Sequence, residues 1–213
     1  DEAAARGAIE RFEAEARRRG IPIESRLVLH GEATPQATFS FMVRRFDLSV
    51  IMQSDPEDGA NDLLIEGALF ESGRPMMVVP YIHRQALKLD HVTCCWDGSF
   101  TAARAINDAL PFLRRARVVE LFIIENEKTR YERGVQGAGM ARHLARHEVN
   151  VQVEMLPAAD IDAGNAILSH AADRAADMIV MGGYGHSRFR EFVLGGTTRE
   201  ILSTMTVPVL MSR

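Results

Sequence analysis

The chain has 213 residues, a net charge of −4 and 46% hydrophobic residues, which is enough to bury a core and too much for a disordered chain. This length fits one large domain or two small ones. The charge gives no reason to expect nucleic acid on the surface, no apolar run approaches the roughly 20 residues of a membrane span, and no basic-then-apolar leader is evident. Two adjacent cysteines form no disulfide framework. A globular, cytoplasmic protein is the expectation.

Within Ala3–Arg19, Ala5, Ile9, Phe12 and Ala16 fall at helical spacing, and Gly20 and Pro22 stop that helix. Asp47–Met52 reads as a strand, Asn61–Ser72 as a helix and Arg74–Val79 as a strand. Val92–Trp96 is a run too short for a helix. Ser99, just beyond it, caps a helix whose apolar face is Ala103, Ile106, Leu110 and Leu113. Pro111 predicts a kink or an early end there. Val118–Ile124 is a strand broken only by Glu120, Met140–His147 lies in a helix, and Val149–Leu156 is the next strand. Asp160 or Asp162 caps a helix with Ile167, Leu168, Ala171 and Ala175 inward. Met178–Met181, Thr197–Met205 and Val207–Met211 close the chain as strand, helix and strand. Strands that are almost wholly apolar and alternate with helices imply an α/β fold with a parallel sheet covered on both faces.

The elements repeat. Asp47–Met52 resembles Asp177–Gly182, 130 positions on, and Pro75–Val79 resembles Pro208–Ser212, 133 positions on. The Arg-rich helix end before Ile21 likewise resembles the one before Val149. Two copies of one unit follow, with domains expected over 1–86 and 87–213. Residue 1 stands opposite about residue 131, so the first copy lacks a counterpart of His91–Arg130.

In open parallel sheets a ligand sits beyond the carboxyl ends of the strands, where strand order reverses. Two segments at such ends are unusual. One is Asp97-Gly98-Ser99. The other is Met181-Gly182-Gly183-Tyr184-Gly185, followed by Leu194-Gly195-Gly196-Thr197-Thr198 at the start of the last helix. Glycines let the backbone come close to a ligand, and free N–H groups at a helix start favour a phosphate.

Gly182-x-x-Gly185, nine residues and then Gly195 resembles the ATP-binding signature of the universal stress protein family, in which a final glycine is followed by Ser or Thr. Asp97-Gly98-Ser99 is similar to that family's first-strand aspartate motif, and the likeness spans His91–Arg213. The resemblance implies a tandem protein of two Rossmann-like units, each an open parallel sheet of order 3-2-1-4-5 with helices on both faces. The first is degenerate and incomplete, with further residues expected before Asp1. It also implies that Asp97 and Gly98 face the ribose or adenine and that Ile123 contacts adenine. Met181, Gly182, Gly185, Gly195, Gly196, Thr197 and Thr198 would then line ribose and phosphates of ATP, with Asp97 near a nucleotide-bound Mg. The chain departs from the signature at Gly196, which has no hydroxyl; Thr197 or Thr198 stands nearby to supply one.

The first copy has Gln53–Gly59 where the second has its glycines, with three carboxylates that would repel a phosphate. It reads as a packing partner. His186, Arg188 and Arg190 either neutralise phosphate charge or lie on a solvated loop. His143 and His147 share a helix face without a third ligand and read as surface residues, Cys94 and Cys95 as buried thiols, and Trp96 and Tyr184 as core or rim packing as readily as base contacts. No catalytic constellation is legible, so slow ATP hydrolysis is the most that an enzyme reading allows. The apolar last strand, Val207–Met211, invites pairing with another copy or with the first unit, which makes an interaction or dimerisation protein of the same fold the alternative. A homo-oligomer is expected.

Overall fold

A computed structural model describes residues 2–28, 34–55, 59, 61–125, 137–157, 162–183 and 196–213. Two compact units are present, Asp1–Pro35 and Gln36–Arg213. In the first, α1 (Glu2–Arg19) carries Glu2 in its first turn and Arg17–Arg19 in its last, each sign complementing the helix dipole. Glu15 holds Arg18 and Arg19 on one side of the helix. The helix stops at Gly20, whose φ of +66° allows the Ile21 N–H to reach back to the Ala16 carbonyl at 3.0 Å. Residues 21–28 form no strand.

The second unit is a seven-stranded sheet. Its strands are β1 (Ser49–Met52), β2 (Met76–Val79), β3 (His91–Cys95), β4 (Val118–Glu125), β5 (Val151–Pro157), β6 (Met178–Gly182) and β7 (Val209–Ser212), in the spatial order β1-β2-β7-β6-β3-β4-β5. All neighbours are parallel except β2 and β7. The helices are α2 (Pro35–Val43, with Pro35 at the unit boundary), α3 (Asp62–Glu71), α4 (Phe100–Asp108), α5 (Leu110–Leu113), α6 (Ala138–Arg146), α7 (Ala163–Asp173) and α8 (Gly196–Thr204).

Two cores sandwich the sheet. On one face Ile65 and Leu69 of α3, Ile167 of α7 and Ile201 of α8 pack on Ile51, Val78, Ile179 and Val209. On the other, Ala105 and Ile106 of α4, Leu113 of α5 and Leu144 of α6 pack on Met77, Cys94, Leu121, Val180 and Leu210. Full burial of such side chains contributes roughly 1.5–3 kcal/mol each, so this double-sided packing holds the short strands together.

The parallel α/β architecture matches the sequence reading, and Pro111 ends α4 early, with α5 beginning just beyond Ala109. β1 and β2 join the other five strands in a single continuous sheet. The edge of β7, expected to pair with another copy or with the first unit, is paired antiparallel by β2, Met76 with Met211, Met77 with Leu210 and Val78 with Val209. α2 was not legible in the sequence.

Candidate functional site

β3 is the pivot of the sheet. The chain leaves it for β4 and β5 on one side and returns to β6 and β7 on the other, with α4 and α8 on opposite faces. The crevice at the carboxyl ends of β3 and β6 is therefore the switch point at which such sheets hold ligands.

After β3, Gly98 takes a φ of +78°, and the Asp97 Oδ1 accepts from the Ser99 N–H at 2.9 Å, closing a tight turn. Ser99 caps α4: its Oγ accepts from the Ala102 N–H at 3.1 Å and lies 3.0 Å from the Thr101 Oγ1. Asp97 and Gly98 are exposed at the crevice.

At the end of β6, Gly182 lies against this same helix start. A Cβ there would stand 2.6 Å from the Ala102 nitrogen and 2.7 Å from the Thr101 carbonyl carbon. Gly183 donates its N–H to the Ser212 carbonyl at 2.9 Å, and a Cβ on it would meet the Leu69 methyls. The space beside these two glycines is thus filled by protein. Gly196 differs: it is exposed, opens α8, and among the described residues a Cβ on it would meet nothing within 4 Å. Thr197 is half-buried and Thr198 buried in the same first turn. Met181 points into the core beneath α3 and α8, and Ile123 is buried beneath the start of α6, where Gly137 comes close to its Cδ1. Neither side chain opens onto the crevice. Gly185, His186, Arg188 and Gly195 lie outside the described residues, as do Tyr184 and Arg190.

The cysteines flank the crevice without chemical use. Burial pushes the Cys94 thiol well above its ordinary range, and burial with the nearby Asp97 charge pushes Cys95 up to about 12. Both stay protonated and unreactive at neutral pH. The His143 Nε2 lies 3.1 Å from the Asn107 Oδ1. Among the described residues no group of three His, Cys, Asp or Glu is arranged to hold a metal ion, and no helix is long and apolar enough to cross a membrane.

Two features went unseen in the sequence. A cavity of about 320 Å³ opens at the end of β1, away from the β3–β6 crevice, lined in part by Asp55, Asp62, Arg199 and Ser203. Glu120 sits buried in β4, its Oε1 against the His170 Nε2 and its Oε2 3.5 Å from the Arg174 Nε. The break that Glu120 makes in an apolar run was the available signal; its partners come from α7, from the residue just beyond it and, at 3.8 Å, from His91 of β3.

Comparison with known proteins agrees with this architecture. Residues 88–213 match the Universal stress protein family. The chain is 30% identical over 145 residues, 66% of its length and 47% of the relative's, to Universal stress protein Slr1230 of Synechocystis. It thus spans about half the length of that curated relative. Among solved structures, a universal stress protein from Archaeoglobus fulgidus superposes with a TM-score of 0.75 at 18% identity, covering all of this chain and 77% of that one. A functionally unknown protein from Pseudomonas aeruginosa superposes with a TM-score of 0.66 at 15% identity, covering all of this chain and 78% of that one. An α/β sheet with a pivot-strand crevice defines a Rossmann-like class of protein. Within that class, the chain belongs to the universal stress protein family.

Proposed function

We propose that this protein is a tandem universal stress protein that binds ATP, with Mg, in the crevice of its second copy and uses occupancy as a stress-response signal. The reading rests on an exposed Asp97 just beyond β3 and the open first turn of α8, which follows β6, in a sheet whose strand order turns at β3. The described residues fit the ligand: Gly196 leaves room for a phosphate, the N–H groups of Gly196–Thr198 favour its charge, and Asp97 is exposed to receive a ribose or a nucleotide-bound Mg. A bound nucleotide would supply negative charge there, and the residues of this chain hold and orient it. No residue here is assigned to hydrolysis.

The spatial order β5-β4-β3-β6-β7 supports reading the second copy as a 3-2-1-4-5 unit. In the first copy Gln53 is buried where Gly183 stands in the second, and the cavity beyond β1 is lined in part by the carboxylates of Asp55 and Asp62, which would repel a phosphate. Pairing of β7 with β2 occupies the edge through which a second copy would have added, which weakens the dimerisation alternative.

The test is to denature the purified protein and chromatograph what it releases, then titrate Mg-ATP by calorimetry. The expected result is one adenine nucleotide site per chain, lost in Gly195→Leu or Gly185→Leu with circular dichroism unchanged. No released nucleotide and no binding heat would move the assignment to an interaction protein with a relict glycine loop.

A further inference from the structure

The cavity of about 320 Å³ at the end of β1 lies between α3 and α8. α3 presents Asp62 and Ile65 to it, and α8 presents Arg199, Leu202 and Ser203, at the i, i+3 and i+4 positions of one helix face. Each helix therefore offers one charge near its start and one apolar side chain a turn on. The two charges are opposite, yet among the described residues neither Asp62 nor Arg199 forms an ion pair. Asp55, beyond the end of β1, adds a second carboxylate.

The walls are pinned. The Gly59 N–H donates to the Asp55 carbonyl at 2.9 Å, and the Asp62 N–H to the Gly59 carbonyl at 3.1 Å. Asn61 reaches back twice, its N–H to the Ser54 Oγ at 3.1 Å and its side-chain amide to the Met52 carbonyl at 3.0 Å. Across the cavity, the Leu202 carbonyl is held by the Gln53 amide at 2.8 Å. Walls fixed in this way lower the ordering cost of binding. The negative potential extends beyond the lining: burial first, and then the Asp62 charge, hold the Glu66 carboxyl above its ordinary range.

Among the described lining residues, two carboxylates against one guanidinium leave one net negative charge. Small-molecule pockets run from about 300 to 1,000 Å³, so this one matches a ligand of amino-acid size.

We propose that the cavity binds a basic amino acid. The ligand carboxylate meets Arg199, its two cationic groups meet Asp62 and Asp55, and its methylene chain lies on Ile65 and Leu202. The Ser203 Oγ donates to the Glu200 carbonyl at 2.9 Å and keeps its lone pairs to accept from an ammonium. Two positive charges and one negative on the ligand complement the cavity. This site is separate from the β3–β6 crevice, and the inference does not rest on the nucleotide reading.

The probe is labelled L-lysine, followed by equilibrium dialysis against the whole protein. Cadaverine, which lacks the carboxylate, and norleucine, which lacks the side-chain cation, serve as competitors. The expected result is one lysine site per chain, with both competitors at least about tenfold weaker than unlabelled lysine. Asp62→Asn and Arg199→Gln should each weaken lysine by a similar factor, and Arg199→Gln should remove the preference for lysine over cadaverine. Both residues are exposed, and circular dichroism checks that each variant keeps the fold. No bound lysine, or equal binding by the wild type and Asp62→Asn, overturns the proposal. Cadaverine competing as well as lysine overturns it by making the cavity a site for cations alone, and norleucine competing as well does so by removing the second cation. Displacement of lysine by Mg-ATP also overturns it, by placing both ligands in one site.

Discussion

The side-chain amide of Gln53, just beyond β1, donates to the carbonyl of Leu202 in α8 at 2.8 Å. The second copy repeats this approach with its own residues: Gly183, 130 positions after Gln53, faces Leu69, 133 positions before Leu202. The Gln53 N–H donates to the Val79 carbonyl as the Gly183 N–H does to Ser212. Met77 and Leu210, themselves 133 positions apart, pair with each other, and the ladder reads the same from either side. The contacts on the two sides of the β2–β7 seam therefore mirror each other, and the ends of β1 and β6 are each braced by a helix from across it, α8 and α3.

Leu202 lies in the last turn of α8, where carbonyls have no intrahelical donor. Gln53 satisfies that carbonyl, and its Oε1 accepts from the Tyr81 N–H at 3.3 Å. Gln53→Ala removes both bonds from a buried site and is expected to cost about 1–3 kcal/mol. Gln53→Leu keeps the volume and loses the same bonds, so it should be destabilised too. Urea unfolding of the two variants checks this. A neutral Gln53→Leu would mean that the amide fills space and does no bracing.

Adjacent glycines at the end of β6 should respond very differently to alanine. At Gly182 the new methyl collides with backbone atoms of Thr101 and Ala102, which can move only with α4. Overpacking of this kind costs about 1–3 kcal/mol, and each kcal/mol shifts the unfolding temperature of a chain this size by about 2–4 °C. At Gly183 the methyl meets only the movable end of Leu69, 2.8–3.3 Å away, and the expected change is small. Thermal unfolding of Gly182→Ala beside Gly183→Ala reads the difference directly.

His170 is the nearest partner of the buried Glu120 and stacks on Phe122 with ring centroids 3.9 Å apart. Arg174, half-exposed, holds the other carboxylate oxygen. His170→Ala leaves the buried carboxylate without its nearest partner, facing only Arg174 and His91, whose Nε2 lies 3.8 Å from Oε2. The expected cost is at the lower end of the roughly 3–5 kcal/mol for breaking a buried pair. In Glu120→Leu/His170→Leu no charge is stranded, so the double variant should recover part of that loss in chemical unfolding.

Short apolar runs between helices made the parallel sheet and its strands legible, because strands covered on both faces need no alternation. α2 escaped notice: Pro35–Val43 has Ser40 buried beside Phe41 in solvent, so its pattern follows neither a helical face nor a strand. The joining of β1 and β2 to the rest of the sheet depends on β2 meeting β7; the apolar last strand left two partners open, another copy or the first unit, and only the tertiary arrangement selects between them. The glycine cluster marked the end of β6, but the reason for Gly182 is the approach of α4, which is tertiary. Asp97 and Gly98 were legible with their geometry, since a turn from strand to capped helix is a local matter.

Asp162 caps α7, its Oδ1 accepting from the Gly164 N–H at 3.2 Å, and Glu200 of α8 reaches the same place because Gly164 has no Cβ to block it. The hydrogen bond with Glu200, and then that from Gly164, hold Asp162 below its ordinary 3.8; the same bond with Asp162 holds Glu200 above its ordinary 4.5. The lowered Asp162 contributes stability that is present above 3.8 and lost as pH falls through its folded value. The raised Glu200 contributes stability that is complete below 4.5 and lost as pH rises through its folded value. Between the two folded values one proton is shared, and the α7–α8 contact is strongest there; at neutral pH two carboxylates face each other. Glu200→Gln supplies the donor at every pH. Its advantage in urea unfolding should therefore be larger at about pH 7 than at about pH 4.5, and modest because the pair lies near solvent. An equal offset at both pH values would show that the two carboxyls titrate independently.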